Sequence, residues 1–583
     1  MGVILDANYT LWKDNKRQVM PAPVDPDTPN VDWWYNHVAQ KVATIKQAGF
    51  TAVQLPPFCK TQGGSANDAD GYGLFDPYDI GSKNQSYSVP TRFGTAEQLR
   101  RCIAILHANG IQVYGDVVLH QYDGGNNREY KYLGSDGKTL NGRFPKTASC
   151  FAGPPPGVMA DPVFDPQGNF AFGDLVSFVN SKPPDYMASG TIDATDWLIR
   201  TTGIDGIRVD DVKGLNVDFC RRFLNSKSVA NVFAYGELFD GNPDTLSSWV
   251  FNCMEGRAGV IDFTLKFNLQ NMANNANNWW MGQLDNIGYC QRDSAHALTF
   301  VESRDTDTSP GEQVIWNKAL AYAIMLTFPG YPKVYWKDWS DDPNCYNLKE
   351  VIENLIWIHE HLANGNKVTR WGNDPQVYVH ERLGWAGLPG CLCGFNNDRW
   401  NTHTVTVQTA WYPNTRLHEF TGHYNTDIWT DSGSRATFTL PPNNNGLGYL
   451  VFGPWPGGPD NAYTALKTKQ VFFGASDLDT PPILKEPGIA GSIYCQQSIP
   501  ITCRLASLKA DKDGTSIPSG TQVELDIKDP TGISHILTLG EESDTALYTP
   551  THSGKHELRL SSAVPFPLAY ELEVTYMGEG INA

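Results

Sequence analysis

The chain has 583 residues and a formal net charge of −18, from 45 Lys and Arg against 63 Asp and Glu. Its length exceeds the roughly 250–300 residues at which one core stops growing, so several domains are expected, and 41% hydrophobic residues exclude a disordered chain. The acidic excess excludes nucleic acid as the main partner, because phosphates would be repelled. No run of about 18 apolar residues is present to span a membrane.

In chain order, Val3–Trp12 reads as a strand and Asp32–Gly49 as a helix ended by its glycine. Thr51–Leu55 is the next strand. The capping box Thr95-Ala96-Glu97-Gln98 opens a helix closed by Gly110, and the apolar run Ile111–Leu119 follows as a strand buried on both faces. Gly206–Asp210, Val232–Glu237, Val260–Phe267, Ala297–Glu302 and Pro332–Trp336 complete eight strands alternating with helices, the pattern of an α/β chain folded as a (β/α)8 TIM barrel. A Gly-, Pro- and Asn-rich stretch interrupts the rhythm after strand three, too long for a structureless loop. The expected domains are a barrel over 1–120 and 186–374, an inserted domain over 121–185, an all-β domain over 375–456 and a C-terminal β-sandwich over 461–583.

The N-terminus lacks the basic and apolar regions of a secretory signal, and Asp6 breaks the myristoylation pattern. Eleven cysteines are an odd number and too sparse for a disulfide scaffold. A cytoplasmic location is favoured, and a secreted chain with its signal removed is the alternative. Cys391-Leu392-Cys393 reads as two thiols on one face of a strand. His359 and His361, two apart on a helix, point to different faces and do not make a zinc pair.

Barrel enzymes carry their chemistry at the C-terminal ends of strands. There this chain places Asp116 in GDVVLHQ, Arg208 and Asp210 in GIRVDDVK, Glu237 in YGELFDG and Asp305 in FVESRDT. Ionisable groups beside apolar strands are costly unless paired or used. Two carboxylates flanking one bond, one nucleophile and one acid, make the arrangement for glycoside cleavage with retention. Arg208 lies on the same face as Asp210 and would keep that carboxylate ionised.

These motifs, with GYGLFDPYDIG (71–81), FGDLVSFVN (172–180) and LTFPGYPKVYW (326–336), resemble glycoside hydrolase family 13, the α-amylase family, over about residues 1–455. The resemblance implies that Asp210 is the nucleophile, Glu237 the general acid/base and Asp305 the transition-state stabiliser. It also implies that Tyr72 stacks on the sugar at the cleaved position, that Asp116 organises the site and that Lys213 lies on the leaving-group side. The chain departs from the family at His120-Gln121, where the family has Asn-His, and at Ser303-Arg304, where it usually has Asn-His. Gln121 still donates and accepts hydrogen bonds. Arg304 adds a permanent charge that either selects an anionic or differently linked sugar or turns away to pair with Glu302 or Asp307.

The chemistry requires no cofactor. Many family members hold a structural calcium; of its usual ligands only Asp174 is matched here, and His120 is a poor ligand for a hard cation, so that site is not expected in its usual form, and the alternative is a structural calcium held elsewhere by the Asp- and Asn-rich loops. The expected activity is a retaining, α-amylase-like hydrolase cutting α-1,4-glucosidic bonds of an α-glucan or oligosaccharide. The alternatives are a transglycosylase using the same site and a non-catalytic carbohydrate-binding protein. Every tryptophan precedes Asp460, so the C-terminal sandwich is expected to be a packing or interaction module rather than a starch platform. Oligomeric state is left open.

Overall fold

The computed structural model describes residues 2–13, 16–19, 33–152, 173–179, 181, 183–385, 387–424, 427–454, 467–475, 488–495, 497–510, 516–540, 545–552, 554–564 and 568–577. Eight parallel strands close into a barrel: β1 (Ile4–Asp6), β2 (Ala52–Leu55), β3 (Gln112–Val117), β4 (Gly206–Val209), β5 (Phe233–Gly236), β6 (Gly259–Ile261), β7 (Ala297–Phe300) and β8 (Tyr331–Tyr335). Closure is direct, because Ile4 of β1 is in register with both Ala52 of β2 and Lys333 of β8. The strands are apolar on both faces because helices cover the outside and side chains such as Ile4, Tyr114, Tyr235, Ile261 and Phe300 fill the inside.

Two expected strands are corrected. Val3–Trp12 is not one strand: the barrel strand stops at Asp6, and Thr10–Lys13 pairs with Lys16–Val19 as a separate hairpin. The Asp6 carboxylate accepts the Asn8 N–H and pairs with Lys333, which turns the chain away from the barrel wall. Val260–Phe267 is likewise not all strand. Asp262 accepts the Leu265 N–H and caps a helix, Phe263–Asn274, whose buried face is as apolar as a strand. The helix expected over 32–49 is two, Trp34–Gln40 and Val42–Gln47, meeting at Lys41. The capping box at Thr95 is present in full and opens Ala96–Ala108.

Between β3 and β4 the chain leaves the barrel. Gln121–Tyr122 pairs antiparallel with Asp174–Leu175, and buried Tyr122, Tyr130, Tyr132 and Phe151 pack around the segment. Residues 153–172 of this insertion lie outside the described residues. The helix Tyr186–Thr202 then returns to β4.

After the barrel comes a six-stranded antiparallel sheet faced by the pair His403–Gln408 and Arg435–Leu440. Its first strand, Lys367–Trp371, lies upstream of Asp374, where the alternating pattern first becomes legible. Cys391 and Cys393 occupy one face of the strand Cys391–Asn396 with Sγ atoms 3.4 Å apart. Two four-stranded antiparallel sheets form the C-terminal sandwich around Cys503, Leu505, Leu525, Ile527, Leu558 and Leu572. The linker at 455–460 lies outside the described residues. Among the described residues no helix is long and apolar enough to cross a membrane.

Candidate active site

Arg208 is the hub of the barrel mouth. It sits on β4 level with Asp116 on β3 and Tyr235 on β5, so its guanidinium reaches side chains from both neighbouring strands. Its Nη1 donates to both oxygens of Asp116, each at 2.7 Å, and to Asp210 Oδ1 at 3.0 Å. Its Nη2 lies 2.6 Å from Glu237 Oε2. Asp210 and Glu237 each follow the last residue of their strand. Their backbone N–H groups continue the ladder, to Val117 and Val209 carbonyls at 3.0 Å, so both carboxylates start from fixed backbone. The structure therefore brings together Asp116, Arg208, Asp210 and Glu237, four side chains that sequence reasoning singled out.

Tyr72 joins them from the loop after β2. Its hydroxyl donates to Asp116 Oδ2 at 2.5 Å and accepts from Asn8 Nδ2 at 2.7 Å. Gly71 makes this approach possible: its φ is +100°, and a Cβ there would lie 2.9 Å from Pro57. Gln121 donates to the Tyr72 carbonyl at 3.2 Å, so here it braces the tyrosine loop.

Arg304 opens the short helix Arg304–Thr308, capped by Ser303. Its guanidinium lies 3.6 Å from the centre of the Tyr72 ring and pairs with Asp305 at 3.2 Å and Asp70 at 3.5 Å. Of the two alternatives for Arg304, the turn toward Glu302 or Asp307 is not the one found. Glu302 turns behind the strand ends to Lys266, and Asp307 pairs with Lys337. Arg304 thus lies on the ring that the family resemblance assigns to the sugar. Lys213 lies apart from this cluster, donating to the Phe239 carbonyl at 3.0 Å and facing Asp240 at 3.4 Å.

Sequence reasoning missed Asp6, Asn8, Gln54, Asp70 and Lys333. Lys333 pairs with Asp6 at 2.7 Å beneath the cluster, and Gln54 accepts from Tyr235 at 2.6 Å. The available signal was polar residues inside apolar strand runs, two in ILDAN and one each in AVQLP and YPKVY, with none of this kind for Asp70.

Burial dominates the electrostatics. It pushes the Asp210 carboxyl well above the usual carboxylate range; Arg208 opposes the shift, while Glu237 and Asp116 add to it. Asp116 is raised for the same first reason, against Arg208 and the Tyr72 hydroxyl. Burial alone would lower Arg208, but Asp116 and Glu237 outweigh it and hold the guanidinium charged. Tyr72 is raised by burial and stays a hydrogen-bond donor. Asp116 and Asp210 share one guanidinium, so the two titrate together, and both are charged only above the ordinary carboxylate range.

At the family's usual calcium place the described residues do not fit a calcium ion. The Asp174 carboxylate is occupied by Arg128 Nε at 3.0 Å and the Tyr130 hydroxyl at 2.7 Å. His120 is buried with Nδ1 3.3 Å from Asp211, and a Cβ on Gly214 would meet its ring at 2.5 Å. A guanidinium on the one matched carboxylate, and an imidazole where an oxygen donor is needed, oppose a hard cation. Among the described residues no group of three or more His, Cys, Asp or Glu is arranged to hold a metal.

No protein-family model matches the chain. It is 30% identical over 469 residues to a glucan 1,4-alpha-maltohexaosidase of Bacillus sp. (strain 707), covering 72% of this chain and 88% of the relative. It is 25% identical over 470 residues to the cytoplasmic alpha-amylase of Escherichia coli (strain K12), covering 69% and 92%. Among solved structures, a gamma-CGTase from alkalophilic Bacillus clarkii superposes with a TM-score of 0.58 at 16% identity, covering 99% of this chain and 94% of that one. The likeness to that structure extends through the C-terminal sandwich. With a barrel whose strand ends gather carboxylates around one arginine, and with relatedness of this extent, the chain belongs to glycoside hydrolase family 13, the α-amylase family.

Proposed function

We propose that the protein is a retaining hydrolase of α-1,4-linked glucans. The observation that carries the reading is Asp210 and Glu237 held on neighbouring nitrogens of one guanidinium. Attack by one carboxylate and protonation by the other requires such closeness, roughly 5–5.5 Å between the two groups. The sugars acted on by the maltohexaosidase and amylase relatives support an α-glucan substrate.

Glu237 gives its proton to the glycosidic oxygen while an Asp210 oxygen attacks the anomeric carbon, and the carbon–oxygen bond to the leaving sugar breaks. Glu237, now ionised, takes a proton from water. The water oxygen bonds the anomeric carbon, and Asp210 departs as carboxylate, so one water is added across the bond. Asp305 stabilises the positive ring, with Arg304 beside it fixing its direction. Tyr72 backs the Arg304 guanidinium, and Asp116 holds both Tyr72 and Arg208. When a sugar hydroxyl replaces water in the second step, the same residues carry out transfer.

The location proposed is cytoplasmic, supported by the likeness to a cytoplasmic amylase and by eleven cysteines of which none is in a disulfide. The test is product analysis on maltooligosaccharides with wild type, Asp210→Asn and Glu237→Gln. Shorter products with retained anomeric configuration are expected from wild type alone. Inverted products, or an active Asp210→Asn variant, overturn the reading, and chains longer than the substrate mark transfer.

A further inference from the structure

We propose that Lys60 is a positioning residue for the barrel mouth: its ammonium fills a cage of backbone carbonyls, as a monovalent cation would, and so fixes the loop that carries Asp70 and Tyr72. The proposal rests on the hydrolase reading above and extends it to a residue outside the lining of the catalytic cavity.

Lys60 is wholly buried at the base of a hairpin in which Lys60–Thr61 pairs antiparallel with Leu74–Asp76. A lysine buried so completely is ordinarily paired with a carboxylate. Here Nζ lies within hydrogen-bond reach of four carbonyls instead: Val89 at 2.6 Å, Ser88 at 2.8 Å, Pro90 at 3.2 Å and Lys83 at 3.3 Å. Asp79 Oδ2 is farther off, at 3.5 Å, and accepts from Gln85, while Asp76 is held by Lys83 at 2.8 Å. Burial pushes the Lys60 pKa down; Asp79 and Asp76 oppose the shift, and Lys83 adds to it. A neutral amine carries a lone pair that would face one of these oxygens, whereas an ammonium offers donors only. Carbonyl oxygens that replace a hydration shell are also how proteins hold potassium, so the ammonium stands where a small monovalent cation fits.

The cage ties the mouth loop to its surroundings. Residues 83–90 fold over Lys60, and at their turn the Ser86 carbonyl sits where a Cβ on Gly64 would be, a contact open to glycine, whose φ here is +58°. Gly64, Asp70 and Tyr72 all lie in the connection of the hairpin, between Thr61 and Leu74. Asp70 accepts the Tyr72 N–H at 3.2 Å and reaches Arg304 at 3.5 Å, and Gln85 accepts the Leu133 N–H of the insertion at 3.2 Å. Without the ammonium, four carbonyls lose their donor and residues 83–90 have to shift toward water. Asp210 and Glu237 stay anchored to the barrel ladder, and Arg304 keeps Asp305 on its own helix. The loss therefore falls on the wall of the mouth rather than on the chemical step.

The test uses the full chain, with Lys60→Ala, which empties the cage, and Lys60→Met, which fills it with an uncharged chain of similar length. Kinetics on maltooligosaccharides and melting temperatures are measured in choline, ammonium and potassium chloride at one ionic strength. In choline, both variants are expected to raise KM about tenfold while kcat changes less than about threefold. Ammonium or potassium is expected to restore KM and raise the melting temperature of Lys60→Ala alone, leaving wild type and Lys60→Met unmoved. An unchanged KM in either folded variant overturns the assignment, as do a loss confined to kcat and a Lys60→Ala variant that neither ion restores. If Lys60→Ala does not fold in choline, folding in potassium supports the cage and failure there overturns it, while Lys60→Met still reads the change in KM. Melting needs no turnover, so a wild type without hydrolase activity would sink the catalytic reading and leave the cage measurable.

Discussion

Two clusters of buried charge lie at the same end of the barrel, and they are built differently. In the mouth, Asp116, Asp210 and Glu237 converge on Arg208 alone, and no second lysine or arginine contacts any of the three at ion-pair distance among the described residues. Behind the ends of β7 and β8, Glu302 and Asp338 are matched by Lys266 and Lys318, at 2.9 Å for Lys266–Glu302 and 2.6 Å for Lys318–Asp338. Thr306, Tyr322 and the Val314 N–H donate to what remains of those carboxylates. The second cluster is balanced, which makes it structural: every charge has a partner, and removing one orphans another. The first gathers three carboxylates on one guanidinium at the barrel mouth, which places two of them, Asp210 and Glu237, side by side for chemistry.

The contrast can be broken by substitution. The largest effect is expected from Asp210→Asn or Glu237→Gln, which should lower kcat by at least about a thousandfold without unfolding the chain, because Arg208 keeps two other carboxylates. Steady-state kinetics beside thermal melts separate the two outcomes. Asp338→Ala should do the reverse, costing about 3 kcal/mol of stability by leaving buried Lys318 only its longer 3.6 Å contact to Glu302 and the Tyr322 hydroxyl without its acceptor, read from urea unfolding; a neutral result would erase the distinction between the clusters. Arg304→Ala should reduce kcat/KM by about tenfold or more, since Asp305 loses its buried partner, and a fall confined to KM would mean that Arg304 serves only the Tyr72 face.

Smaller effects sharpen the same picture. Burial raises the Asp210 pKa, so the folded chain holds a proton that the unfolded chain releases above its ordinary value of 3.8. The stability tied to this group is complete below that value and is lost as pH rises through the raised native one. Asp210→Asn should therefore raise the melting temperature at pH 7, with the gain shrinking as pH falls toward 3.8. A gain independent of pH would refute the charge argument. Last, a chelator should leave the melting temperature unchanged, while Arg128→Ala, which removes the guanidinium on Asp174, should lower it.

Much of this was legible in the primary structure, for reasons particular to each segment. GIRVDDVK and YGELFDG put a charged residue beside an apolar run too short for anything but a buried strand, so the strand and the expensive charge were read together. Val260–Phe267 defeated the same logic, because a helix buried on most of its surface and a strand buried on both faces share one composition. For Arg304, one of the two alternatives, the turn toward Glu302 or Asp307, fails for another reason. Glu302 and Asp307 are its neighbours along the chain, but the helix capped by Ser303 aims it toward Asp70, more than two hundred residues away.

The amino-acid sequence by itself determined the alternation of strands and helices, the eight-stranded barrel and the identity of the four charged side chains at its mouth. Periodicity and the cost of burying charge are local properties, visible wherever such a residue interrupts an apolar run. Only the tertiary structure decided which carboxylates share Arg208, that Lys333 and Asp6 lie beneath them, that Arg304 covers Tyr72, and that Arg128 takes the Asp174 carboxylate. Those pairings join residues far apart in sequence, and barrel closure and strand register set the distances at which charges compete.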